Sequence, residues 1–157
     1  MIALSYRKVL LKLRENKLAD LSMEFAVNVL DAVDGIKGHS SLVNQIERSA
    51  TSIGANIREA NYGHGKPDFI AKLQIALKEC YETEYWLELF KKAKLLDETK
   101  SKELTDKCGT IRRILVASIN TTKNNMQKAK EATINMPNHN IIEITYKTFK
   151  GYNFIIS

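Results

Sequence analysis

Residues 43–60, VNQIERSATSIGANIREA, carry two stripes at once. Val43, Ile46, Ala50, Ile53, Ile57 and Ala60 follow steps of three and four, which places them on one face of an amphipathic helix. Ser49, Ser52, Asn56 and Glu59 repeat the same spacing beside them as a polar stripe. Ser49, Ala50, Ser52, Gly54 and Ala55 are all small, so a neighbouring helix can approach closely and hydrogen-bond across the contact. A glycine inside a helix costs roughly 1 kcal/mol against alanine, so Gly54 points to a packing reason.

Outward from this segment the pattern continues. Leu18, Leu21, Phe25, Val29, Val33 and Ile36 form an upstream apolar stripe that ends at the Gly35–Gly38 region, and Ser40 or Ser41 can cap the helix after it. Tyr62-Gly63-His64-Gly65 ends that second helix. Pro67 suits the first turn of a third, where Asp68 complements the positive end of the dipole. Phe69, Leu73, Leu77, Cys80, Leu87 and Phe90 give the third stripe. A fourth starts at Asp97 or Thr99 and runs through Leu104, Cys108, Ile111, Leu115 and Ile119 to about Lys130. Four amphipathic segments with short loops predict an all-α, antiparallel up-down-up-down four-helix bundle over residues 17–131. With 157 residues the chain suits one domain, and 7 Gly and 2 Pro are too few for the tight turns of an all-β fold.

The two ends read differently. Residues 1–16 form a short basic N-terminal arm, equally consistent with an amphipathic helix and with a loosely attached segment. Residues 132–157 form a non-helical C-terminal tail. Within it, IIEITYKTFKGYNFIIS reads as a strand or weak hairpin, and an isolated hairpin is marginal in water. The tail is therefore expected to be disordered or loosely docked.

Chemistry-bearing residues are few. Glu84 stands where the third apolar stripe would continue, and a carboxylate in a seam needs a partner; Arg48, Ser52 or Asn56 on the second helix are candidates. A buried network fixing register and assembly is the expectation, with a polar substrate pocket as the enzymatic alternative. His39, His64 and His139 form no metal spacing. Gly63-His64-Gly65-Lys66 lacks the first glycine of a phosphate loop and has Pro67 where a hydroxyl residue is required. Cys80 and Cys108 lie on helix seams and make no disulfide framework. No cofactor or metal is implied. No signal peptide or membrane span is evident, which suggests a cytoplasmic protein.

Lys and Arg number 24 against 18 Asp and Glu, a net charge of +6. The excess sits in residues 1–16 and 97–131, each +3, whereas residues 17–38 are −2. Candidate phosphate contacts are Lys107, Arg112, Arg113, Lys123, Lys128 and Lys130, with Arg7, Lys8, Lys12 and Arg14 on the arm. Arg112, Lys123 and Lys130 fall near one helical face. No aromatic residue is interleaved with these cations, so the expected contact is with phosphates and not by base stacking. The plainer alternative is a solvated basic face that only aids solubility.

The run Arg48-Ser49-Ala50-x-Ser52-Ile53-x-x-Asn56-Ile57-x-Glu59 is followed by Asp68-Phe69-x-x-x-Leu73-x-Ile75-Ala76-Leu77 and the Glu82/Glu84 pair. Over residues 17–130 the chain thereby resembles the four-helix-bundle proteins encoded in intervening sequences of bacterial large-subunit rRNA genes. Ala60 departs from the glycine of many members. The family is similar in fold to the accessory variability determinant proteins of diversity-generating retroelements. The resemblance implies a homopentameric ring and nucleic-acid binding. A reverse-transcriptase partner would follow by fold analogy alone. The expectation is a non-enzymatic oligomer that binds RNA or DNA through Lys/Arg–phosphate contacts. The alternative is a protein–protein adaptor ring for a nucleic-acid-processing enzyme.

Overall fold

A computed structural model describes residues 2–134, with side chains from Lys17 onward. It contains four helices: α1 (Ile2–Val33), α2 (Ser40–Ala60), α3 (Lys66–Lys92) and α4 (Glu98–Ile134), with no strand among the described residues. Two compact units are distinguished. Met1–Thr122 holds the bundle core; the described part of Lys123–Ser157 is the C-terminal stretch of α4.

Antiparallel packing follows from paired positions. Ser49 meets Thr83 and Glu59 meets Lys72, so α2 descends as α3 rises. Cys80 meets Cys108, and Leu87 meets Ser101, so α3 and α4 run opposite ways. Lys107 joins α4 to Glu24 of α1 at 3.0 Å. The predicted bundle is the observed one.

The punctuation has local causes. α1 ends where Gly35 takes a left-handed backbone (φ 79°), at no side-chain cost. The N-cap position of α2 falls on His39, not Ser40 or Ser41, and no side chain caps that end. Pro67 lies in the first turn of α3, as expected, and Asp68 accepts the His64 backbone N–H at 3.2 Å. Asp97 starts α4, its Oδ1 accepting the Lys100 backbone N–H at 2.8 Å. Of the two readings of the arm, the helical one holds: α1 is continuous from Ile2. α4 continues to Ile134, past the expected Lys130. The strand or hairpin expected in the tail falls outside the described residues.

Phe25, Val29, Val33, Ile46, Ile53, Ile57, Leu73, Leu87, Phe90, Leu104, Ile111 and Leu115 form the sealed core. The apolar stripes locate it with local shifts. On α3, Ala76 and Thr83 take the inner positions, while Leu77 and Phe69 move to the flank and Ile70 turns inward. Thr83 is held inside by its contact with Ser49 of α2. On α1, Ser22 is fully buried and Leu21 is not. Ser22 faces Gly54: a Cβ added to Gly54 would meet the Ser22 Oγ at 3.4 Å. The contact calls for a small residue at position 54, and alanine would meet that need as well as glycine. Among the described residues, no helix is long and apolar enough to cross a membrane.

Gly54→Ala should be tolerated, since the added methyl only reaches ordinary contact, whereas Gly54→Leu should force α1 and α2 apart. A loss of about 1–3 kcal/mol for leucine, read by urea denaturation, is the expected outcome. Equal stability of both variants would contradict close packing.

Candidate nucleic-acid interface

Acids already in the bundle sort the cations expected to meet phosphate. Lys107 lies 3.0 Å from Glu24 and 3.2 Å from Glu103, and its hydrogen bonds to both raise its pKa. Arg112 donates from Nε to Glu84 at 2.8 Å, a contact that raises the arginine further. Neither is an uncommitted charge. Arg113 is exposed and donates to Thr110 at 2.9 Å within its own helix. Lys123, Lys128 and Lys130, in the second unit, are exposed, and among the described residues none of the three forms an ion pair. Gln127 donates to Glu131, the one acid of that stretch, at 3.1 Å. Side chains of Arg7, Lys8, Lys12 and Arg14 lie outside the described ones.

The partner of Glu84 differs from expectation. It is Arg112 of α4, not Arg48, Ser52 or Asn56 of α2. Residues 82 and 84 are about 200° apart round a helix with 3.6 residues per turn, so they face opposite neighbours. Glu82 turns to α2 and receives Arg48 at 3.3 Å. Glu84 turns to α4 and is partly exposed at the edge of the seam. The Arg112 guanidinium carbon also lies 5.5 Å from the centroid of the Tyr81 ring, a cation–π distance. An aromatic residue does meet a candidate cation, but it comes from another helix.

The polar stripe of α2 divides in the same way. Ser49 is buried and receives the Thr83 hydroxyl at 2.9 Å across the α2–α3 contact. Their oxygens also lie 3.2 Å from the Ile46 carbonyl and 2.8 Å from the Glu79 carbonyl. Two hydroxyl protons therefore serve three contacts. Half-buried Asn56 donates to the Ser52 carbonyl of its own helix at 2.9 Å, and exposed Glu59 pairs with Lys72 at 2.6 Å. Thr83 was missed because a threonine between Cys80 and Leu87 reads as a flank residue. Its signal was its spacing, three after Cys80 and four before Leu87.

Beside Glu84 lies an open groove of about 470 Å3 between α3 and α4, lined by Glu84, Glu88, Lys91, Ser101, Lys102, Thr105, Asp106 and Arg112. The polar space that an enzymatic reading needs is thus present. Its lining holds neither histidine nor cysteine, and the Ser101 hydroxyl is turned to the Leu87 carbonyl at 3.5 Å. Cys80 and Cys108 are buried together. Contact with Cys80, and then burial, push the Cys108 thiol far up, away from the reactive thiolate. Among the described residues no group of three His, Cys, Asp or Glu could hold a metal ion.

The two polar contacts of α3 should differ in worth. Thr83→Val should cost about 1 kcal/mol by removing a buried hydrogen bond. Glu84→Gln should cost less, about 0.2–1 kcal/mol, because Arg112 and Glu84 stay in touch with water. Thermal unfolding checks both; the reverse order would contradict the burial assigned here.

A family model for the 23S rRNA-intervening sequence protein matches residues 14–117. A crystal structure of a protein with unknown function, from the S23 ribosomal protein family of Bacteroides thetaiotaomicron, has a TM-score of 0.64 and 38% identity to the chain. The match covers 68% of this chain and 98% of that one. No curated protein matches. Fold, seam residues and match agree: this four-helix bundle belongs to the 23S rRNA-intervening sequence protein family.

Proposed function

We propose that this chain is a non-enzymatic RNA-binding protein that holds phosphates through exposed cations of α4 and acts as an oligomer. The observation that carries the reading is the sorting of charge. Lys107 and Arg112 are spent on Glu24, Glu103 and Glu84, while Lys123, Lys128 and Lys130 stand exposed. Arg113 adds a fourth exposed cation. A net charge of +6 and the rRNA association of the family name favour a polyanion over a solubility role.

Self-association is part of the reading, and α1 supports it. Met23, Val27 and Leu30 lie at spacings of four and three, 49%, 47% and 39% exposed, as an outward apolar stripe. Asp20 and Asp31 flank it, so an acidic apolar face is available to a basic one on another copy. Repetition in a ring, pentameric by resemblance, would multiply a modest phosphate contact. The same stripe also favours the adaptor reading, in which it receives a different protein.

Fluorescence anisotropy with structured RNA and duplex DNA across a salt series tests the first claim. Each phosphate neutralised contributes about 0.9 to the slope on duplex DNA, so a K123A/K128A/K130A variant should flatten it by up to about 3. Lys107→Ala should leave it unchanged. Absence of binding at low salt would overturn the reading in favour of the adaptor.

Val27→Lys should lower the sedimenting mass without lowering the melting temperature, because the position is already half exposed. Unchanged mass would remove the α1 stripe from the assembly contact.

A further inference from the structure

The outward face of α3 carries two tyrosines that the fold does not bury. Tyr81 is 53% and Tyr85 58% exposed, and at four residues apart they stand one above the other. Each has a neighbour that holds it, Tyr81 on one face and Tyr85 at an edge. Arg112 reaches from α4 to the Tyr81 ring, anchored by Glu84, while Tyr85 meets Trp86 edge-on with centroids 4.9 Å apart. Rings fixed in this way lose little freedom when a flat partner is laid on them.

The charge around the rings narrows the partner. Three acids near them are paired, Glu82 with Arg48, Glu84 with Arg112, and Glu88 with Lys92 at 2.6 Å, while Asp106 stands across the groove on α4. Two cations, Lys78 and Arg113, lie near the rings without an ion pair among the described residues. Lys78 is exposed three residues before Tyr81, on the same face. Arg113 is exposed next to Arg112; the position a Gly109 Cβ would take lies 3.6 Å from its Nη1 and 4.0 Å from the Glu84 Oε1, so its guanidinium lies toward the same edge. Flat π-faces with cations on their margin suit unpaired nucleobases joined by phosphates.

We infer that Tyr81 and Tyr85, backed by Arg112, form a stacking platform for unpaired bases of a single-stranded nucleic acid. The inference rests on the RNA-binding reading and deepens it: α4 holds phosphates, and α3 holds bases. It also locates the contact that a scan along α4 could not find, because its aromatic and cationic halves come from different helices.

The test compares a uridine dodecamer with an abasic ribose-phosphate dodecamer of equal charge, and a thymidine dodecamer with its abasic DNA counterpart. The wild-type protein should bind the base-bearing strand tighter than the abasic one by about 5- to 100-fold. The single tryptophan, Trp86, should change its emission as bases stack on Tyr85. Tyr81→Ala with Tyr85→Ala should erase the difference while the salt slope stays as it was; Tyr81→Phe with Tyr85→Phe should keep it. A preference for uridine over thymidine strands would assign RNA as the source, and the reverse would assign DNA.

Equal binding of base-bearing and abasic strands by the wild type would overturn the platform and leave phosphate binding standing. Failure of every strand to bind at low salt would overturn the RNA-binding reading and the platform with it. A lower sedimenting mass in the double alanine variant, with no loss of the base preference, would reassign the tyrosines to contact between copies.

Discussion

Helix α2 sits between α1 and α3 with small residues at two of its contacts. Gly54 lies against Ser22 of α1, and Ser49 meets Thr83 of α3 hydroxyl to hydroxyl. Between these contacts Ile46, Ala50 and Ile53 are completely covered. A larger side chain at either place would prise open the seam that shields these residues. The register set here carries through the bundle. With Thr83 turned to α2, Glu84 must turn to α4, and there it takes hold of Arg112.

That consequence links packing to function. The basic excess is not spread evenly over the folded surface, because the acids withdraw part of it. Glu24 and Glu103 occupy Lys107, and Glu84 occupies Arg112. Such exposed or half-exposed pairs contribute little to stability, typically about 0.2–1 kcal/mol. On the proposed reading their larger effect is to take Lys107 and Arg112 out of the candidate set and leave Arg113 in the first unit, and Lys123, Lys128 and Lys130 in the second. Arg112, held by Glu84, is a positioned flat group against Tyr81 more than a free charge.

The fold was legible because burying apolar stripes is a local rule with a fixed period, and Phe25, Ile53, Leu87 and Leu115 lie where that period puts them. Less legible were positions where size outranks polarity. Ser22 and Thr83 are buried although a hydropathy pattern sends them outward, and Leu77 yields its place to Ala76. The candidate site was legible as a set of cations but not as a set of contacts. Whether Arg112 meets a phosphate, a carboxylate or a ring depends on the register of α3 against α4. No spacing within α4 encodes that register. Tyr81 escaped notice for the same reason, since its cation lies 31 residues further along the chain.

Lysine-selective chemical footprinting, read by mass spectrometry with and without a structured RNA, tests the sorting of charge most directly. The account predicts that RNA shields Lys123, Lys128 and Lys130, while Lys107, already held by Glu24 and Glu103, keeps its reactivity. Shielding of Lys107 with the three distal lysines left reactive would contradict it.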